Sequence, residues 1–399
     1  MADPRATRIL VWMCVFIAVN QLGFGAIVPV VALYARSFGV RQAAIGVAIA
    51  VYGLARFLLA FPVGKLTDVL GRRAALGLGG VVTAGGNLLC AYATNFPVFV
   101  TGRFVAGGGA ALVLIAGQIV LADITTPERR GRVMAIYQGV FLFAVGVGPY
   151  PGGLLAERFG LAAPFVVYAG AGLVASAVAW LSIPETRQPR VSAEAVATPP
   201  PFAAQVRLLT AHRGFLLVSL VGFVNAVVRT GALFNVVPVL ARDRLLLGTD
   251  RIGFGLALAS VVGLALAYPA GVLVDRYGRK TVIVPATAAA GLSMLVFLLA
   301  SSYGGFLTGC MLWSVAVGVS GAAPAAYAAD VAPPGMNAAA MSTFRMLSDL
   351  GYVLGPIALG AVTDLFGADA ALTTAAVLML AVAALFARFA PESYHGARP

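Results

Sequence analysis

Gly64-Lys65-Leu66-Thr67-Asp68-Val69-Leu70-Gly71-Arg72-Arg73 is the stretch on which the reading of this chain turns. An apolar run that begins near Val47 and is long enough to cross a bilayer precedes it, and another apolar run follows. A near-copy, Gly271-Val272-Leu273-Val274-Asp275-Arg276-Tyr277-Gly278-Arg279-Lys280, also stands between apolar runs. Each of its positions lies 207 residues after its counterpart (64 to 271, 68 to 275), without drift. A tight turn with one acid and several bases between two spans is a membrane hairpin held at the cytoplasmic face. Its return halfway along the chain predicts two homologous halves.

Composition sets the class. Hydrophobic residues make up 60% of the 399 and charged residues 11%, with a mean hydropathy of +0.94. A soluble domain carries about 25% charged residues, so this chain has too few to cover itself for water. Apolar segments of about 20 residues recur, the length a helix needs to cross roughly 30 Å of hydrocarbon. Membrane barrels alternate polar and apolar residues, and these segments do not. The prediction is an all-α membrane protein with twelve transmembrane helices. They form two homologous six-helix bundles related by a pseudo-twofold axis along the membrane normal.

The net charge of +12 does not point to nucleic acid, because the bases punctuate the spans instead of forming a patch. Most of the 27 Lys and Arg fall on one side of this topology. That side is cytoplasmic, since basic loops resist translocation, and it holds both termini. Cys14, Cys90 and Cys310 sit in apolar runs without paired spacing, so neither a disulfide framework nor a metal site is implied. No cofactor is implied either. The first span runs on past Pro29 without a small-residue cleavage site, unlike a cleavable signal.

Taken in order, the first predicted helix (about 9–34) carries Asn20, Gln21, Gly23, Gly25 and Pro29. Amides near mid-span face a partner helix or a polar cavity. The second helix carries Arg56, twelve residues before Asp68 and so about 18 Å from the cytoplasmic turn. There an unpaired charge costs at least a few kcal/mol, which predicts an inward-facing side chain. The fourth helix opens with Arg103, followed by Gly107, Gly108 and Gly109, in the outer part of the membrane. Arg103 there either faces the interior or snorkels to the outer headgroups. The fifth helix carries Gly146, Gly148, Pro149, Pro151, Gly152 and Gly153, a set that kinks a helix and lets neighbours pack closely.

Residues 187–213 turn polar and include Pro199, Pro200 and Pro201, which divides the chain into 1–190, a cytoplasmic linker 191–213, and 214–399. In the second half, the seventh helix bears Asn225, Arg229, Asn235 and Pro238, and the eleventh bears Arg345, Asp349, Gly355 and Pro356. The same offset of 207 relates Asp123 to Asp330, Pro149 to Pro356, Glu157 to Asp364, and Pro184 to Pro391.

Of the fifteen acids, only Asp349 lies well inside a predicted span, one helical turn after Arg345. A carboxylate in hydrocarbon favours taking up a proton, whereas a neighbouring arginine opposes it. The pair reads either as a proton- or substrate-responsive switch or as a locked structural salt bridge. The offset maps Arg56 to Gly263, Arg103 to Cys310, Gln138 to Arg345 and Leu142 to Asp349, so the fold does not require these charges. Four arginines (Arg56, Arg103, Arg229, Arg345) against one carboxylate predict a cavity of positive potential that favours anionic or zwitterionic molecules. Asn20, Gln21, Asn225 and Gln138 are the predicted polar lining of that cavity.

Over nearly its whole length the chain resembles a major facilitator superfamily transporter. Residues 64–73 match that family's loop signature G-x-x-x-D-x-x-G-R-R/K, and residues 271–280 match its weaker echo. Arg103 with Gly107 and Gly109 is similar to the family's helix-4 arginine motif. Gly148, Pro149, Gly152 and Gly153 resemble the helix-5 signature of the drug–proton antiporter branch, which has glycines where this chain has Ala135 and Ala144. The resemblance implies a gating role for Gly64, Asp68, Gly71, Arg72, Arg73, Asp275 and Arg279. In it, Asp68 bonds helix-end amides or a basic residue, and Arg72 and Arg73 meet the anionic leaflet.

The sequence does not read as an enzyme. No phosphate-binding loop follows a strand, and His212 and His395 both lie in predicted loops. The expectation is a monomeric, proton-coupled exporter of a small molecule in a bacterial inner membrane. An uptake permease and a transporter-like sensor are the alternatives.

Overall fold

The computed structural model describes residues 4–125, 127–186, 207–209, 211–321, 323–333 and 336–393. Most of the predicted linker, and His395, lie outside the described residues. No strand occurs among those described. Twelve helical stretches among them are long and apolar enough to cross a membrane. The protein is an all-α, multi-pass membrane protein.

The helices of the first half are α1 (Pro4–Ile27), α2 (Val31–Ser37), α3 (Gln42–Leu70), α4 (Arg72–Ala91), α5 (Phe96–Asp123), α6 (Pro127–Val147), α7 (Pro149–Phe159) and α8 (Ala163–Ser182). Those of the second half are α9 (Arg213–Val228), α10 (Val237–Arg244), α11 (Thr249–Tyr277), α12 (Arg279–Leu299), α13 (Tyr303–Ser320), α14 (Ala323–Asp330), α15 (Asn337–Phe366) and α16 (Ala368–Phe389). Asn95 caps α5 by accepting from Val98 N at 3.0 Å, and Ser302, 207 residues on, caps α13 by accepting from Gly305 N at 3.3 Å. His212, expected in a loop, caps α9 by accepting from Phe215 N through Nδ1 at 3.4 Å.

Four helices predicted as continuous are broken. The first stops at Ile27 and resumes at Val31 around Pro29, and the fifth breaks between Gly148 and Pro149. The tenth, predicted over about 306–329, breaks at Gly321, and the seventh widens into a π-helical turn, Arg229–Val236, just before Pro238. Proline supplies no amide and crowds the carbonyl four residues back, and a widened turn is one way to accommodate it. Pro62, Pro269, Pro285 and Pro356 nevertheless lie inside unbroken helices.

The chain forms two compact units. The first gathers Met1–Val40, Val47–Val191 and Leu247–Ala257, and the second gathers Arg41–Gly46, Ser192–Leu246 and Leu258–Pro399. Each thus takes in the opening turns of one long helix, α3 in the second unit and α11 in the first. The core of the first unit includes Met13, Phe16, Ile17, Leu76, Val113, Val120 and Tyr137. Small residues bring its backbones together, as membrane packing requires: Gly80 abuts Gly172 and Ser176, and Gly86 abuts Ala106. Tyr34 of α2 ties to the end of α4 by donating to Ala91 O at 3.1 Å.

Candidate functional site

The turn motif builds a carboxylate network at one end of each half. Gly71 (φ 89°) and Gly278 (φ 93°) take the positive-φ conformation that glycine tolerates, ending one helix and opening the next. In the first unit, Arg72 Nη1 meets Asp68 Oδ1 at 3.1 Å and its Nε meets Asp123 Oδ2 at 3.0 Å. The Glu185 carboxylate accepts from Arg72 N at 2.9 Å and from Arg73 N at 3.2 Å, at the positive end of α4. Thr186 Oγ1 donates to Asp123 Oδ2 at 3.1 Å.

The second unit repeats the Arg72–Asp123–Glu185–Thr186 part of this network. Arg279 Nε meets Asp330 Oδ2 at 3.2 Å, Glu392 accepts from Arg279 N at 3.0 Å, and Ser393 Oγ donates to Asp330 Oδ2 at 3.2 Å. Arg72 and Arg279, Asp123 and Asp330, Glu185 and Glu392, and Thr186 and Ser393 all obey the offset of 207.

The expectation that Arg72 and Arg73 meet the anionic leaflet is corrected. Arg72 is spent on carboxylates, and Arg73 donates through Nη2 to Trp180 O while its guanidinium carbon lies 5.4 Å from the Trp180 ring centre. Fixed protein acceptors within hydrogen-bond reach outcompete mobile headgroups. The side chains at positions 64 and 275 lie outside the described residues, so Gly64 and Asp275 have no described role. A double-mutant cycle on Arg72→Ala and Asp123→Ala is expected to give a coupling of about 1–2 kcal/mol. Thermal unfolding in detergent reads it, and Arg279→Ala with Asp330→Ala should return a similar value.

A second pair of carboxylates, which the sequence reading used only as evidence of the repeat, caps the far ends of α3 and α11. In the second unit, Asp364 accepts from Gln42 N at 2.8 Å and Ala43 N at 2.9 Å, the first amides of α3. Gln42 Nε2 donates to Asn235 Oδ1 at 2.8 Å, and Asn235 Nδ2 donates to Pro356 O at 2.9 Å. In the first unit, Glu157 accepts from Thr249 N at 2.8 Å, and Thr249 Oγ1 lies 2.9 Å from both Glu157 Oε2 and Gly153 O. Glu157 and Asp364, and Gln42 and Thr249, again stand 207 apart. A helix-end acid recurring at the same place in both halves was the signal available in the sequence. Asp364→Asn and Glu157→Gln are each expected to lower stability by about 1–2 kcal/mol, since charge-assisted bonds to helix-end amides become neutral ones; unfolding midpoints check this.

The intramembrane residues divide into two groups. In the first unit Asn20 (1% exposed), Gln21 and Arg103 (2% exposed) are buried, Arg56 is half-buried and Gln138 is exposed. Arg103 therefore does not snorkel. Its Nε donates to Ala48 O at 3.2 Å, and its guanidinium carbon sits 4.6 Å from the Tyr52 ring centre. In the second unit Asn225 is half-buried and Arg229 exposed, in the widened turn. Arg345 Nε and Asp349 Oδ2 are 3.9 Å apart, with side chains 70% and 41% exposed, so the pair is loose and not locked in a core. The helix-5 glycines serve packing within the first unit. A Cβ at Gly148 would come 2.6 Å from Gly25 Cα, and one at Gly152 would overlap the Ala26 backbone. Among the described residues, no group of three or more His, Cys, Asp or Glu could hold a metal ion.

The family model described as Major Facilitator Superfamily matches residues 13–248 and 218–399. An uncharacterized MFS-type transporter of Methanocaldococcus jannaschii is 23% identical over 364 residues, covering 90% of this chain and 91% of its own. The multidrug resistance protein MdtL of Klebsiella pneumoniae is 26% identical over 267 residues, covering 65% of this chain and 66% of its own. Among solved structures, a bacterial homolog of the human lysosomal transporter Spinster, inward-facing and occupied, superposes with a TM-score of 0.79 at 16% identity. It covers 97% of each chain.

Proposed function

Since this chain belongs to the Major Facilitator Superfamily, we propose that it is a proton-coupled exporter, which moves a small drug-like or metabolite molecule out of a bacterial cell in exchange for inward protons. Members of this superfamily are transporters, which bind small molecules within the membrane. The observation that carries the coupling is the Arg345–Asp349 pair. Asp349 is the one acid well inside a predicted span, and its arginine stands off at 3.9 Å with both side chains open. A carboxylate in that position can trade its arginine for a proton. The similarity to a multidrug resistance protein supports export.

In this reading the protein works as a monomer by alternating access, with both termini and the two turn motifs on the cytoplasmic side. The turn motifs around Asp68, Arg72 and Arg279 serve as the gate of that cycle. The test is proton release from detergent-purified protein in weak buffer on addition of drug-like compounds of anionic, neutral and cationic charge. A compound that binds with release is expected. Binding without release by any compound would contradict coupling and leave a facilitative permease or a sensor.

A further inference from the structure

The first unit encloses a set of hydrogen-bond donors that the protein itself does not satisfy. Arg103 is 2% exposed, yet its Nη1 has no partner, and it pairs with no carboxylate among the described residues. Asn20 Nδ2 is likewise buried without a partner. The Tyr168 hydroxyl is buried and reaches no partner in hydrogen-bonding geometry, although Tyr52 lies beside it. These groups belong to one cluster. Tyr52 stacks on Phe24 with ring centres 5.3 Å apart, Phe24 meets Tyr168 edge-on at 6.5 Å, and Arg103 lies over Tyr52. Asn20 stands one helical turn before Phe24, on the same face of α1. Arg56 stands one turn after Tyr52 on α3, within electrostatic reach of Tyr168.

A buried guanidinium without a counter-ion is strongly unfavourable. The Tyr52 face returns only part of that cost. The remainder, with buried donors and no acid to receive them, calls for an acceptor that carries negative charge. Arginine presents a planar fork that suits the two oxygens of a carboxylate. The half-buried Phe24 ring suits an apolar, flat body. Phe24 and Arg56 are only half-buried, so they form the rim of the cluster.

We propose that Arg103, with Asn20 and Tyr168, is the receptor for the carboxylate of an aromatic organic acid, whose body lies against Phe24 at the rim. This rests on the transporter reading above and gives the substrate its class. Arg56 at the rim draws the anion in, and Arg103 receives it.

The experiment is calorimetric titration of the full-length protein in detergent with biphenyl-4-carboxylate and with its neutral isostere biphenyl-4-carboxamide. The acid is expected to bind at least tenfold more tightly than the amide. Arg103→Gln is expected to erase that ratio, and Arg56→Gln to weaken the acid only a few-fold. Arg103→Gln strips a charge from a packed site and can fail to fold, so the wild-type comparison of acid with amide stands as a test by itself. Equal affinity for acid and amide, no binding of the acid, or an unchanged ratio in folded Arg103→Gln protein would each overturn the proposal. The titration needs no gradient and no transport. Its failure leaves the exporter reading untouched, and a protein that binds the acid but moves nothing across a membrane would overturn that reading alone.

Discussion

Protein carrying Gly152→Val is expected to lose at least about 3 kcal/mol of stability, at the upper end of what overpacking does, and to be recovered largely unfolded or not at all. A Cβ at this buried position of α7 would overlap the oxygen, Cα and carbonyl carbon of Ala26 in α1. Those are backbone atoms, so no rotamer change relieves the overlap and α1 and α7 would have to separate. The opposing term is small, because replacing glycine in a helix with even its best replacement gains only about 1 kcal/mol of propensity. Gly170→Ala in α8 is the internal control, since nothing lies within 4 Å of a Cβ there. It should be neutral or slightly stabilising. Unfolding midpoints in detergent check both, and a Gly152→Val protein as stable as the control would show that α1 and α7 are not packed as described.

Asp349→Asn is expected to lower gradient-driven transport at least tenfold while leaving the protein folded. Asparagine keeps the shape of the side chain and removes the group that would carry the proton. The Arg345–Asp349 pair is long and exposed, and exposed pairs contribute about 0–1 kcal/mol, so the unfolding midpoint should barely move. The variant should still equilibrate substrate down its own gradient, because the exchange of conformations does not run through this carboxylate. Gradient-driven transport that survives in Asp349→Asn would place coupling on another group.

Much of the fold was legible because bulk properties and periodicity carry it. Too few charges, recurrent apolar segments and an offset of 207 held at positions from Gly64 to Pro391 predict twelve helices in two halves. What stayed hidden depends on partners far along the chain. Glu185 reaches the amides of Arg72 and Arg73, and Asp364 those of Gln42 and Ala43, and a bond to backbone leaves no mark on the partner's identity. The sequence therefore placed Asp68 and Arg72 in a gate but sent Arg72 and Arg73 to lipid. For Arg103 depth could be counted but facing could not, so burial and snorkelling stayed open until Ala48 and Tyr52 were found around it. Proline was equally ambiguous, since Pro29 sits in a break while Pro356 sits in an unbroken helix.

The central claim, exchange of a small molecule for protons, is tested most directly in proteoliposomes of the purified wild-type protein. An acid-inside pH gradient is imposed and the uptake of drug-like compounds of each charge is followed together with luminal pH. The account predicts that a compound accumulates inside against its gradient as the lumen loses protons, and that a protonophore abolishes the accumulation. Uptake indifferent to the gradient, or driven only when the outside is acid, would contradict it.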